Sequence, residues 1–100
     1  MKLFVDDLRN PLDFGLKEYI WVKTVEDAIS FLENGTITFA SLDHDLGHQL
    51  YDGTYLINYI EENNLWPING VYVHSQNLVG KKRMNDAIKK YYGMLFDGPI

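Results

Sequence analysis

The 100-residue sequence predicts an α/β fold, a small three-layer sandwich built on a mainly parallel sheet of four to five strands. Three observations lead there. Short runs of apolar residues alternate with segments whose apolar residues recur at helical spacing. The first run, Leu3-Phe4-Val5, has no polar interruption, the pattern of a strand buried on both faces. Several runs then end abruptly in polar residues, as parallel strands do where their carboxyl ends meet solvent.

In chain order, Leu3-Phe4-Val5 is the first strand, stopped by Asp6-Asp7. Arg9-Asn10-Pro11 and Phe14-Gly15 break the chain, so residues 8–18 read as a loop with room for one helical turn rather than a long helix. Tyr19 to Val22 is aromatic and β-branched, hence a strand. Thr24 then caps a helix whose face is Val25, Ala28, Ile29 and Leu32, and Asn34-Gly35 ends it. Ile37 to Leu42 is the third strand, followed by Asp43-His44-Asp45-Leu46-Gly47-His48, too polar for a strand interior. Asp52-Gly53-Thr54 turns the chain into a helix over 54–64 with Tyr55, Leu56, Tyr59 and Ile60 as its buried stripe. Val71-Tyr72-Val73 is a fourth strand, and a last helix over 79–92 buries Met84, Ala87, Ile88 and Tyr91. Residues 94–100 either add an edge strand or lie against the core.

Apolar residues make up 46% of the chain and charged ones 23%, the balance of one soluble domain spanning 1–100. No apolar run approaches the roughly 18 residues of a membrane span, and two acids interrupt the start before a signal-peptide core forms. There is no cysteine, so disulfides, thiolate zinc sites and cysteine nucleophiles are excluded, and a cytoplasmic location is the expectation. The net charge of −5 argues against tight non-specific binding to DNA. The charge is divided: residues 1–62 hold 12 acids and 4 bases, residues 63–100 hold 2 acids and 5 bases. Three of those bases are contiguous, Lys81-Lys82-Arg83.

Ligands of open α/β sheets bind beyond the carboxyl ends of the strands, where Asp6-Asp7, Asp43-His44-Asp45 and His74-Ser75 should converge. Carboxylates crowded together repel, and a divalent cation or protonation relieves them. Asp6, Asp7 and Asp43, with Asp45 a weaker fourth, are the candidate ligands, and all-oxygen donors point to Mg²⁺ or Mn²⁺ rather than zinc. His44 and His74 are candidate catalytic groups beside Asp43, because imidazole exchanges protons near neutral pH. They could work from two sides of a phosphate, or His74 could be a core histidine and His44 a partner orienting a carboxylate. His48 reads as exposed polar surface. Ser75 lacks an activating base and reads as a hydrogen-bond donor. Asn77, Gly80, Lys81, Lys82 and Arg83 open the last helix, where free N–H groups and positive charge suit phosphate; simple capping is the competing reading. Arg9 either clamps an anion or pairs with Asp7. The aromatic residues mostly serve the core; Tyr51 and Trp66 could stack on a base, with core or rim packing preferred.

These residues resemble response-regulator receiver domains, and more closely their stand-alone offshoot, the cyclic-phosphate processing receiver-like family. Leu3 to Asp7 resembles the receiver's first strand with its acidic pair, Ser41-Leu42-Asp43 the strand ending in the phosphoacceptor aspartate, and Tyr51-Asp52-Gly53 the turn into the next helix. Val73-His74-Ser75 lies where receivers carry a hydroxyl residue. The offshoot's motifs are all present: Asp6 to Pro11, Leu42 to Gly47, His74-Ser75 and Gly80 to Met84. The resemblance implies a receiver- or flavodoxin-like fold with a shortened or missing first helix. It also departs from signalling receivers, since Leu95 to Ile100 contains no lysine for a phosphoryl group.

The resemblance implies binding or hydrolysis of cyclic phosphates on nucleotides or RNA ends. In the leading expectation, a phosphoesterase, a carboxylate-held cation polarises the phosphoryl oxygens, one histidine activates water and Arg83 or Arg9 steadies the charge; a metal-free version uses both histidines. The alternative is a non-catalytic module that binds or sequesters a cyclic-nucleotide messenger or a partner protein, serving a bacteriophage or its host. Homo-oligomerisation is open on either expectation.

Overall fold

The computed structural model describes residues 1–48 and 50–100. Four strands, β1 (Lys2–Val5), β2 (Tyr19–Val22), β3 (Phe39–Leu42) and β4 (Val71–Val73), form one sheet in the order β2-β1-β3-β4. Every neighbouring pair is parallel. Three helices, α1 (Val25–Glu33), α2 (Gly53–Asn63) and α3 (Leu78–Tyr92), complete an α/β receiver-like fold. Between β1 and β2 there is only a 3-10 turn, Pro11–Phe14, capped by the Asn10 side chain and closed by Gly15 at φ 75°. The loop expected over 8–18 therefore contains its single helical turn.

Alternation along the strands sends Leu3, Val5, Ala40, Leu42, Val71 and Val73 to one face, where they form the core with Ala28 and Leu32 of α1, Leu56, Ile57 and Ile60 of α2, and Met84 and Ile88 of α3. The opposite face presents Phe4, Trp21, Ser41 and Tyr72 in register. Irregular chain covers it. The Trp21 indole donates to the Asp6 carbonyl, the Tyr72 hydroxyl donates to the Ile100 carbonyl, and Gly98 lies so close to the Tyr72 ring that it has no room for a Cβ. Helices, sheet and irregular chain are the three layers. The tail over 94–100 forms no strand; it lies against the core through Phe96, whose ring sits on Gly70.

Each helix begins where a side-chain oxygen satisfies a free backbone N–H: Thr24 takes that of Asp27, Asp52 that of Tyr55 and Asn77 that of Gly80. The stripe expected on α2 is rotated. Gly53, Leu56, Ile57 and Ile60 are its buried residues, while Tyr55 is 40% exposed. Both assignments fit a 3.6-residue period; Gly53 decides between them, because its close approach to β3 turns its own face inward. On α3 the inward tyrosine is Tyr92, whose hydroxyl donates to the Pro67 carbonyl, and Tyr91 is 53% exposed. Trp66 stacks on Tyr91 at 4.8 Å, which is rim packing. No described helix is long and apolar enough to cross a membrane.

A Cβ at position 53 would stand 2.7 Å from His44 Cα and closer still to the Asp43 carbonyl oxygen. Backbone cannot yield as a flexible side chain does, so Gly53→Ala should destabilise the fold by about 1–3 kcal/mol, read as a lower midpoint of urea denaturation. An unchanged midpoint would mean that α2 can move away from β3 without cost.

Candidate functional site

In-register parallel strands bring the residues after their ends together. Val5, Leu42 and Val73 are aligned, so Asp6, Asp43 and His74 follow side by side. The ladders run on through them: Asp6 N–H donates to Val22, Asp43 N–H to Val5 and His74 N–H to Leu42. One ligand atom from each of the three lies within 4.8 Å of the others.

Asp6 is almost wholly buried, at 1% exposure. Its Oδ1 accepts the N–H groups of Leu8 and Arg9 at 2.9 and 2.8 Å. Its Oδ2 faces His74 Nε2 at 3.0 Å and the Arg9 guanidinium at 3.6 Å. Arg9 also donates to the His74 carbonyl. A carboxylate only accepts, so His74 carries its proton on Nε2, and its Nδ1 accepts from the Ser41 hydroxyl at 2.7 Å. The imidazole stacks flat on Phe4, with centroids 4.3 Å apart, and its side chain has no exposed surface. Burial pushes its pKa down to about 4 against the pull of Asp6, and Arg9 and Lys81 push it the same way as burial. His74 is therefore neutral in the fold at neutral pH.

Asp43 is buried beside Asp6, and its pKa is raised, first by burial and then by the Asp6 charge. Hydrogen bonds from Ser75 and from the His44 N–H, together with the Arg9 charge, work in the opposite direction.

His44 faces the other way, into a groove of about 390 Å³ between the first turns of α2 and α3. Its Nδ1 lies 2.9 Å from Asp45 and 3.3 Å from the Asn77 amide, and its Nε2 lies 3.4 Å from Asp52. The Asp45 carboxylate is held below its ordinary pKa, chiefly by this hydrogen bond to His44. The ring lies flush against α3 at Gly80, where a Cβ would overlap it. Arg83, one turn further along α3, lines the same groove.

With that geometry, the sequence model of the cyclic-phosphate processing receiver domain matches residues 1–90. The chain belongs to this family. No curated protein and no solved structure matches it.

In this receiver domain the expected site residues divide into two groups. Asp6, Asp43, Arg9, Ser75 and His74 share the strand ends, whereas His44, Asn77 and Arg83 line the groove and Asp45 bonds to His44 and Asn77 beside it. The histidines are not presented to two sides of one space, because His74 is enclosed beneath Asp6. Of the four acids expected to share a cation, Asp6 and Asp43 adjoin, Asp45 turns to His44 and Asn77, and Asp7 leans on Gly47, where a Cβ would stand 3.0 Å from its Oδ2. Arg9 pairs with Asp6, not Asp7. Lys82 reaches Asp86 on the surface, and Lys81 lies over the Tyr72 ring.

Sequence reasoning read Asp52 only as a cap and passed over Ser41. The Asp52 carboxylate has two oxygens, and the second is free to face His44. Ser41 was signalled by strand alternation, which puts it on the face opposite Ala40 and Leu42.

Unfolded histidine titrates near 6.5 and folded His74 near 4, so between these values the unfolded chain binds more protons. Stability should thus fall as pH drops from about 6.5 to about 4, by roughly 3 kcal/mol from this residue alone. Asp43, raised in the fold, offsets part of that on its own protonation. NMR titration of the imidazole carbons isolates the effect: His74 should stay neutral at pH 5. Its protonation near pH 6.5 would contradict the buried, Ser41-bonded ring.

Proposed function

We propose that this receiver domain binds a cyclic phosphate ester of a nucleotide or an RNA end in the groove beside His44, and hydrolyses it. The observation that carries this reading is His44 itself. The imidazole Nδ1 donates to Asp45, which also accepts from the Asn77 amide, and the ring lines a groove that also contains Asp52 and Arg83, so a proton-transfer group and a planar cation face one space. A guanidinium matches phosphate oxygens in geometry and charge. With its proton on Nδ1 donated to Asp45, His44 takes a proton from water on Nε2 as the water oxygen bonds to phosphorus. One ribose P–O bond breaks, and a proton passes to the departing oxygen, leaving a phosphomonoester. His74 cannot touch the substrate; it acts through Asp6, holding that carboxylate and the Arg9 loop in place.

The residues fit a hard divalent cation in part. Asp6 and Asp43 offer adjacent oxygen donors whose repulsion burial accentuates, but both ring nitrogens of His74 already have partners. Asp6 and Asp43 would hold Mg²⁺ or Mn²⁺, which would neutralise the pair; neither residue lines the groove beside His44, so the hydrolysis proposed there does not depend on it.

One observation favours a second reading, a receptor that binds without turnover. His44 is the one histidine among the groove's lining residues, while hydrolysis needs both a proton acceptor and a proton donor.

Purified protein incubated with 2′,3′-cyclic and 3′,5′-cyclic nucleotides, with and without Mg²⁺ or Mn²⁺, should release phosphomonoesters detectable by mass. His44→Ala should slow this about 10²- to 10⁴-fold, and Arg83→Gln should raise KM more than it lowers kcat. Full turnover in His44→Ala overturns the mechanism; retained binding with no turnover in the unaltered protein selects the receptor.

A further inference from the structure

The groove has an end that phosphate chemistry does not use. Besides Arg83 and Asn77, its lining includes Tyr55, Leu50 and Val79, and these are 40%, 72% and 82% exposed. Three exposed apolar side chains lining one cavity offer apolar contact to whatever enters it. The tyrosine is braced from behind: Tyr51 meets it edge-on, with centroids 4.9 Å apart and planes at 88°, and His48 packs on Tyr51 at 4.8 Å. A braced aromatic ring loses little conformational freedom when a flat ligand settles on it.

We propose that Tyr55, with Leu50 and Val79, forms a nucleobase subsite, making a nucleoside cyclic phosphate rather than a base-free phosphate ester the ligand of this groove. The inference rests on the phosphate reading given above and adds the other half of the ligand. A molecule matching this lining combines a π-face with an anion and hydrogen-bonding groups. Asn58 and Thr54 line the groove as well; an amide that both donates and accepts can meet a base edge. The volume of about 390 Å³ is at the small end of the roughly 300–1,000 Å³ typical of small-molecule pockets, which suits one nucleotide.

The chain's other aromatic cluster lacks these properties. Trp66, Tyr91, Tyr92 and Phe96 stack on one another, and the Tyr92 hydroxyl is already committed to Pro67. Tyr91 is 53% exposed, but none of these rings lines the groove that holds Arg83. Tyr55 alone combines an exposed ring with a groove shared by a guanidinium.

The test is calorimetric titration of 2′,3′-cyclic AMP and of glycerol 1,2-cyclic phosphate, which lacks a base, into the unaltered protein, Tyr55→Ala, Tyr55→Phe and Arg83→Gln. Tyr55→Ala should weaken nucleotide binding about tenfold or more, as loss of a stacking ring does, and leave the base-free ester unchanged. Tyr55→Phe should keep the affinity, and Arg83→Gln should weaken both ligands. Unchanged nucleotide affinity in Tyr55→Ala, or equal affinity of the unaltered protein for both ligands, overturns the base subsite; a loss in Arg83→Gln would then still uphold the phosphate reading. Binding of neither ligand by the unaltered protein overturns both.

Discussion

The buried carboxylate of Asp6 holds the working edge of the sheet together. Its two oxygens gather the turn after β1, through the N–H groups of Leu8 and Arg9, and the end of β4, through His74. Its main-chain carbonyl takes the Trp21 indole of β2. The adjoining turn and two elements distant in sequence thus meet on one residue. Each buried donor left without that acceptor would cost about 1–3 kcal/mol, so loss of the carboxylate would release the loop and the imidazole together. The burial of a charge needs such compensation: several hydrogen bonds and the nearby Arg9 cation offset the water that Asp6 gives up.

The same constraint separates two carboxylates that look equivalent in the sequence. Asp6 has most of its acceptor capacity filled, whereas Asp43 meets the Ser75 hydroxyl and one backbone N–H and feels the Asp6 charge. Asp43 is therefore the less satisfied of the pair. The β1–β3 ladder sets the spacing between them, and His74 cannot itself be exchanged for solvent, since Phe4 covers its face and Ser41 its far nitrogen. An imidazole serves here as a rigid hydrogen-bonded strut, neutral because burial outweighs the attraction of Asp6.

What the sequence made legible follows from local rules. Asp6, Asp43 and His74 were found as the residues that end apolar runs, and parallel register alone brings such ends together. Thr24, Asp52 and Asn77 could be recognised because a cap is a short-range contact. The phase of α2 was not legible. Tyr55 and Ile57 are both compatible with a helical stripe, and the decision came from Gly53 pressing on the Asp43 and His44 backbone, a contact with another element. The inward face of α3 was misjudged by one residue for a related reason, since the tail and Pro67, not the period, select Tyr92. The same kind of non-local information hid the burial of His74 and the approach of Asp52 to His44.

Helical phase also decides what the basic run on α3 can recognise. Successive residues turn by about 100°, so Gly80, Arg83 and Met84 share a side, with Gly80 against the His44 ring and Met84 in the core. Lys81 and Lys82 point away, one over Tyr72 and the other to Asp86. Three consecutive bases thus bring a single guanidinium to the groove. Asp52 lines the groove with it, within residues 1–62, where acids outnumber bases 12 to 4. A polyanion would gain one cation there and meet several carboxylates, which is unfavourable along an extended backbone. A single phosphate beside Arg83 would meet fewer of those carboxylates than an extended backbone would. The charge pattern therefore suits the terminal or mononucleotide phosphate of a small ligand over the backbone of a long nucleic acid.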